Sequence, residues 1–507
     1  MVSKALIIRA LCRICKFLEI TNGTEGGPAL DKRKHYVTLE EEKCRGCINC
    51  LKSCPTEAIR VRGGKAHILE ERCIDCGECL RICPHHAKVG ISDSVEKLKE
   101  FKYVVALPTG SLFGQFRLGV SVGRVISALL AIGFHEVHDL TRGYRAIEVA
   151  TGELIKERRL RGGLDGPLVS SLCPVVVRLI QVRFPSLIEN LNPLISPVET
   201  TARLLREERS ILLGLNPAEI GVFYITPCPA QENAIKQSLG VTRSAVSGVI
   251  SIANIYYDLL KNIPFSGPVD EPVVSYGVHL PVGEEGQNLG LGQSDQLVVC
   301  GLHNAINVLE ELERGKLKGL SYLDCRACTE GCLGGPFTVE NPHVARVNLA
   351  RLRAELPRPA VISDDERLRA LYHSGFLNWE RSVDPRPVMV LDHNVANAIR
   401  KLKYSELILK DLPWLDCGSC GAPNCRTLAE DITCGRAREN DCVFKLRDSV
   451  QSLAKEIVDL AEMVPLNDEG GNGGKKVDQI ILRELIEKLQ REVKIGKGKL
   501  DVRKARA

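Results

Sequence analysis

One cysteine pattern occurs twice between residues 44 and 84, and it limits what this chain can become. Cys44, Cys47, Cys50 and Cys54, followed by Pro55, read C-x2-C-x2-C-x3-C-P. Cys73, Cys76, Cys79, Cys83 and Pro84 repeat it. Gaps this short wrap three thiolates around one iron–sulfur cube, and in paired runs of this kind the fourth cysteine of each ligates the other cluster. Zinc is the competing use of close cysteines, but structural zinc usually takes two separated pairs. The spacing predicts two [4Fe-4S] clusters.

The chain holds 21 cysteines in 507 residues, grouped by gaps of two or three, as thiolate metal ligands are and disulfide frameworks are not. Free thiols imply a reducing compartment, so a cytoplasmic location is expected. The Ala5–Ile20 stretch has the look of a signal peptide, but Arg9, Arg13 and Lys16 interrupt it. The best apolar run is broken by Arg117, Arg124 and Glu136 short of the ~18 residues a membrane span needs. A net charge of +5 gives no electrostatic case for nucleic acid. The length suggests roughly three or four domains.

A second run near the C-terminus, Cys417, Cys420, Cys425 and Cys442, has the form C-x2-C-x4-C-x16-C. It resembles the small iron–sulfur domain of electron-transfer complexes and of subunits handling one-carbon corrinoid chemistry, with Gly418, Gly421 and Pro423 between the ligands. A zinc ribbon is the alternative, and Cys434 inside the long gap reads as a spare core thiol. A third set is dispersed: Cys173, Cys228, Cys328 and Cys332. Each follows a predicted strand, respectively 167–171, 221–226 and, for the last two, 320–324. Predicted helices at 119–132, 201–213, 251–260 and 305–314 alternate with these strands, which indicates an α/β layout with a ligand site at strand ends. The four cysteines either hold one buried cube or are scattered core residues.

At these residues the chain resembles the [FeFe] hydrogenase family, from residue ~40 to ~355. The resemblance implies that Cys173, Cys228, Cys328 and Cys332 hold a [4Fe-4S] cube. Cys332 would also bridge to a diiron centre carrying CO, cyanide and azadithiolate, which together make an H-cluster. With two ferredoxin-type clusters and one C-terminal cluster, four [4Fe-4S] clusters are expected. Departures from the family pattern are informative. The proton-relaying cysteine that precedes the first cube ligand is Leu172 here. A lysine contacting a diiron cyanide is Gln231, one methionine beside the site is Thr226, and another is Arg326. Arg326 could restore the lost positive charge, or could be a surface residue capping its own loop. Glu148 and Glu153 do not match the family's carboxylate spacing and read as solvated helix charges. Proton transfer by a positioned side chain is worth ~10²–10⁴ in rate, so slow turnover is expected, as in sensory or regulatory members.

The expected fold is an α/β catalytic domain with its cluster at strand ends, beside an α+β two-[4Fe-4S] ferredoxin domain, a small C-terminal Fe-S domain and a helical tail. The boundaries are a 1–37 extension, 38–98 ferredoxin domain, 99–360 catalytic domain, 361–403 connector, 404–445 four-cysteine domain and 446–507 tail. The connector carries a strand candidate at 387–391 and a helix at 394–403. The tail carries helices at 446–463 and 477–493, and Val477, Ile481, Leu485, Leu489 and Val493 are spaced to dock on a partner or pair in a dimer. Cys12 and Cys15 read as spare thiols, Cys300 as core, and His85 and His86 as surface or near-cluster groups. Cys325 is the one nearby candidate to replace the missing relay thiol. The implied partners are H2 and protons, a redox partner protein (a ferredoxin or a regulatory protein) and hydrogenase maturation proteins. The implied activity is slow, reversible H2 oxidation and proton reduction in an anaerobe, used for sensing. The alternatives are an electron-transfer protein without a diiron site, or a hydrogenase subunit of a larger complex.

Overall fold

The computed structural model describes residues 35–463, except 162–165, 264–288, 290, 293, 356–364, 387, 389–390 and 393. Cys12, Cys15, the 477–493 helix and most of the 387–391 strand candidate lie outside the described residues. The strands in chain order are β1 (Val37–Leu39), β2 (Ile59–Arg62), β3 (Lys65–Ile68), β4 (Lys88–Gly90), β5 (Tyr103–Pro108), β6 (Glu136–Val137), β7 (Leu168–Val169), β8 (Ile220–Thr226), β9 (Gly248–Ser251), β10 (Gln296–Cys300) and β11 (Tyr322–Arg326).

The chain forms two compact units that interleave in sequence. Among the described residues, one comprises those within 35–38, 73–77 and 90–386, and the other those within 39–72, 78–89 and 388–463. The division cuts through the segment 38–98, because Cys73–Gly77 belongs with the large unit.

The large unit is α/β. Its four-stranded sheet has the order β6-β5-β8-β9 and its three-stranded sheet the order β10-β11-β7, and every pairing in both is parallel. All seven residues of β8 are buried, as are five of the six in β5. Continuous apolar runs such as Val104–Leu107 suit strands covered on both faces. Helices Val122–Ile132 and Ile252–Asn262 cover one face of the larger sheet, burying Val125, Ile126, Leu129, Ile255 and Leu259 against Ala106, Phe223 and Ile250. The second core gathers Val175, Val176, Leu179 and Ile180 of helix Pro174–Arg183 with Leu323 and Cys325 of β11 and Leu309 of helix Leu302–Glu313. The observed helices begin up to four residues earlier or later than the spacing predicts, for example Pro197–Leu213 where 201–213 is expected. There Ser196 caps the start by accepting from Glu199 N, and Pro197 takes the first turn, where a missing N–H costs nothing.

The other unit is small and mixed. Hairpin β2–β3 turns through Gly63 and Gly64, both at positive φ (55° and 73°), which a two-residue hairpin of this hand requires. Helices Val395–Asp411, Cys425–Thr433 and Val443–Met463 complete it. No described helix is long and apolar enough to cross a membrane.

Candidate metal centre

Parallel strands deliver the dispersed cysteines to one place. Cys228 lies two residues past β8 and Cys328 two past β11, while Cys173 follows β7 by four. Cys173 and Cys228 are also the residues capping helices Pro174–Arg183 and Pro229–Lys236, each with proline at the first helical position. Backbone amides at such helix starts point at the thiol sulfur and favour negative charge there. The amides of Val175 and Val176 act on Cys173, and that of Gln231 acts on Cys228. All four thiols act on one another: Cys228 is influenced by Cys328, Cys173 and Cys332, and Cys332 by Cys328 and Cys173. Burial pushes the Cys173 thiol up to about 11 and that of Cys332 to about 12, and the neighbouring sulfurs add to both. An ion cluster that takes up the thiolate charge is the chemistry such a group fits.

Strand alternation sorts the third loop. Tyr322, Asp324 and Arg326 share one face of β11, while Leu323 and Cys325 face the apolar core. Arg326 is therefore no surface residue: it is 7% exposed, and its Nη2 donates to Asp324 Oδ2 at 2.7 Å. Burial works against the Arg326 charge, but Asp324 outweighs it and holds the guanidinium protonated, with Cys300 and Cys332 nearby. Cys325, buried among Val175, Leu179 and Leu309, faces away from this polar set, and burial raises its thiol. Cys300 is half-buried at the end of β10, paired in register with Arg326.

In the second loop, Gln231 is tied down through its carbonyl oxygen. Tyr224 Oη donates to it at 2.9 Å and Thr226 Oγ1 at 2.8 Å, while Cys228 N donates to Thr226 Oγ1 at 3.2 Å. The Gln231 amide N–H groups remain for another acceptor. Tyr224 and Tyr144 are buried phenols beside Cys332, and burial holds both well above the usual range, so they stay neutral donors. Leu172 packs against the apolar cluster that holds Ala146, Ile147, Ala150, Leu194, Tyr372 and Leu377. Glu153 is a surface ion-pair residue, 3.0 Å from Lys156 and 3.2 Å from Arg369. Glu148 corrects the expectation of a solvated charge: the inner face of helix Thr141–Leu160 buries it, with Arg145 at 3.5 Å.

Sequence reasoning missed the residues that fasten the segment Cys73–Gly77 to this site. Asp75, between two predicted cluster ligands, is fully buried and accepts from Tyr36 N at 2.8 Å. It also accepts from Asn233 Nδ2 and from Arg178 Nη1, the latter at 3.4 Å. Arg178 and Asn233 sit on the two helices that begin at Cys173 and Cys228. One buried carboxylate thus holds the two helices that begin at Cys173 and Cys228.

In the smaller unit, Cys50 is buried, and Cys47, Cys83 and Cys44 are the sulfurs that act on it. Cys417, Cys420, Cys425 and Cys442 line one cavity of about 280 Å3, part of it open to solvent, together with Asp416 and Gly418. Cys434 is not on that lining; it is half-buried at the end of helix Cys425–Thr433. This cavity is built onto the hairpin. Val61 N donates to Gly421 O at 2.9 Å, and a Cβ on Gly421, at φ +73°, would collide with the Val61 carbonyl. Asp431, almost fully buried, takes Arg60 at 2.5 Å and Arg62 at 3.5 Å, and Lys52 donates to the carbonyls of Asp416 and Pro423. Among the described residues, no three His, Cys, Asp or Glu side chains are placed to hold a single metal ion.

Parallel strands thus end in a four-thiol group, in a chain that also carries a duplicated cysteine run. Residues 102–264 match the family model of the iron only hydrogenase large subunit, C-terminal domain. Residues 36–84 match the 4Fe-4S dicluster domain and 412–444 a family of Fe-S cluster segments. The periplasmic [Fe] hydrogenase large subunit of Nitratidesulfovibrio vulgaris is 28% identical over 222 residues, 40% of this chain and 52% of that protein. Iron hydrogenase 1 of Clostridium pasteurianum is 29% identical over 126 residues, 24% of this chain and 21% of that protein. The chain thus spans about half the length of the first relative and a fifth of the second. A solved [FeFe]-hydrogenase of Chlamydomonas reinhardtii aligns at 16% identity and a TM-score of 0.45, covering 57% of this chain and 95% of that one.

Proposed function

We propose that this chain is an [FeFe] hydrogenase-like iron–sulfur protein that turns over H2 slowly and serves to sense H2 or redox state. The observation that carries the reading is the mutual placement of Cys173, Cys228, Cys328 and Cys332 just past the ends of parallel strands. Four thiols gathered in this way suit a [4Fe-4S] cube, with Cys332 available to bridge and Arg326 beside it. The uncommitted amide N–H groups of Gln231 would supply donors for a diiron group with CO and cyanide ligands. When bound, that group would supply the site at which H2 is split or formed. The chain's own residues would position it: Arg326, fixed by Asp324, would offer a donor where the family has a methionine. Gln231, fixed by Tyr224 and Thr226, would donate where the family has lysine. Leu172 would withhold the usual proton relay, and slow turnover follows.

The remaining cysteines would complete the electron path. Cys44, Cys47, Cys50 and Cys83 would hold one ferredoxin-type cluster, and Cys54, Cys73, Cys76 and Cys79 the second. Cys417, Cys420, Cys425 and Cys442 would hold a fourth [4Fe-4S] cluster, from which electrons reach a ferredoxin or regulatory partner. A reducing, cytoplasmic setting in an anaerobe suits free thiols in this number, with maturation proteins supplying the diiron group.

Infrared spectra of the anaerobically reconstituted protein loaded with synthetic diiron cofactor test the reading. Cyanide and CO bands that shift between argon and H2 are expected. Failure to retain those bands would refute it and leave a four-cluster electron carrier, the reading that Leu172 and Gln231 favour.

A further inference from the structure

The duplicated run allows one half to be checked against the other. Cys54-Pro55-Thr56-Glu57-Ala58-Ile59 corresponds to Cys83-Pro84-His85-His86-Ala87-Lys88. The backbones agree closely: Glu57 and His86 both take positive φ (53° and 47°). Ala58 N donates to Cys54 Sγ at 3.2 Å, and Ala87 N to Cys83 Sγ at 3.3 Å. The last position does not agree. Ile59 fills an apolar core with Leu51 and Ala66, whereas its counterpart is a lysine that is only 4% exposed.

A buried ammonium without an anion is costly, and lysine is almost never buried unless paired. Lys88 Nζ makes no hydrogen bond to the protein. The groups its charge acts on are Cys50 and Cys83. Both belong to the set that would hold the first cluster, so the anion this lysine lacks is the one that cluster would bring. A cube with four thiolate ligands is negative, and becomes more so by one charge when it accepts an electron. A fixed cation beside it therefore favours the reduced form.

We propose that Lys88 is a built-in counter-ion of the first ferredoxin-type cluster, making the cube of Cys44, Cys47, Cys50 and Cys83 easier to reduce than its twin beside Ile59. This rests on the reading that those four cysteines hold a cube. The same cluster lies where the C-terminal cavity is attached: a Cβ on Gly418 would meet Lys52, Ile48 and Leu51, at 3.3, 3.5 and 3.5 Å. An electron entering through the C-terminal cluster would thus come to rest on the first ferredoxin cluster, which acts as the holding station of the chain.

The test is a redox titration of the full-length holoprotein followed by electron paramagnetic resonance, with iron content measured in parallel. Lys88→Ile reproduces the residue the other repeat already carries, and Lys88→Met keeps the length of the side chain. Both should lower the midpoint of one cluster, changing its reduced-to-oxidised ratio at fixed potential at least tenfold, or about 59 mV for one electron. The other midpoints should stay in place. Unchanged midpoints in both variants, with iron content preserved, would overturn the counter-ion role. Wild-type protein lacking two ferredoxin-type signals would overturn the cluster reading itself, and the proposal with it.

Discussion

Replacing Arg178 with methionine removes the cation from the Asp75 network while keeping most of the side-chain volume. The guanidinium is 4% exposed and the Asp75 side chain 0%, so neither charge has water to fall back on. Burial pushes Arg178 down to about 10, with Asp75 opposing, so the group is still charged at neutral pH. In Arg178→Met the carboxylate keeps Tyr36 N and Asn233 Nδ2 but loses its counter-ion. Breaking one side of such a buried pair costs about 3–5 kcal/mol, a large share of the ~5–15 kcal/mol that holds a domain folded. At roughly 2 °C per kcal/mol for a large unit, the melting midpoint should fall by about 6–10 °C. The assay is calorimetry of the anaerobic holoprotein, with Arg178→Met compared against Arg178→Met/Asp75→Asn. The double variant buries no unpaired charge and should recover most of the loss. A single variant melting within about 2 °C of the parent, or a double variant no better than the single, would refute the reasoning.

Three further outcomes follow from the geometry. Asp431→Asn removes the charge shared by Arg60, Arg62 and Arg436. At about 3 kcal/mol this should speed tryptic cleavage after Arg436 and Arg438 by about 10²-fold, and equal cleavage rates would show that the clasp holds nothing. Leu172→Cys should raise H2–D2 exchange by less than about tenfold, well short of the ~10²–10⁴ of a working relay. The side chain at this position packs on a predominantly apolar cluster that includes Ala146, Leu194 and Leu377, and a gain of a hundredfold would contradict this. Asp93 is raised by burial, but Lys236 outweighs that and holds it below the usual carboxylate range. Its contribution to stability is present above the unfolded-state value and is lost as pH falls below about 4. In Asp93→Asn that acid limb should flatten, and an identical pH profile of the melting midpoint would rule the contribution out.

What the sequence revealed was local in character. A run such as C-x2-C-x2-C-x3-C-P states its ligation within twelve residues. Cys228 was readable because β8 is apolar enough to be seen as a strand ending just before it. The Asp324–Arg326 pair was open to the same reasoning, since residues two apart on a strand share a face. The Asp75–Arg178 pair was not, because its members lie 103 residues apart and nothing local distinguishes them from surface charges. Glu148 was misjudged for a related reason: helix Thr141–Leu160 is charged on much of its surface, and only packing shows which face turns inward. Lys88 was visible in the repeat as a mismatch with Ile59, but its meaning depends on burial.

Interleaving of the two units imposes an order on synthesis. The hairpin and the first cluster loop are made early, yet residues 387 onward, which complete their unit, follow Val89 by some 300 residues. At ~5–20 residues per second that is a wait of about 15–60 s on the ribosome. During it the Val61 edge has no Gly421 to pair with, and Arg60 awaits a carboxylate 371 positions ahead. Metal loading of the early loop before the late helices arrive would protect four thiols through that interval, so cluster delivery and translation have to be timed against each other.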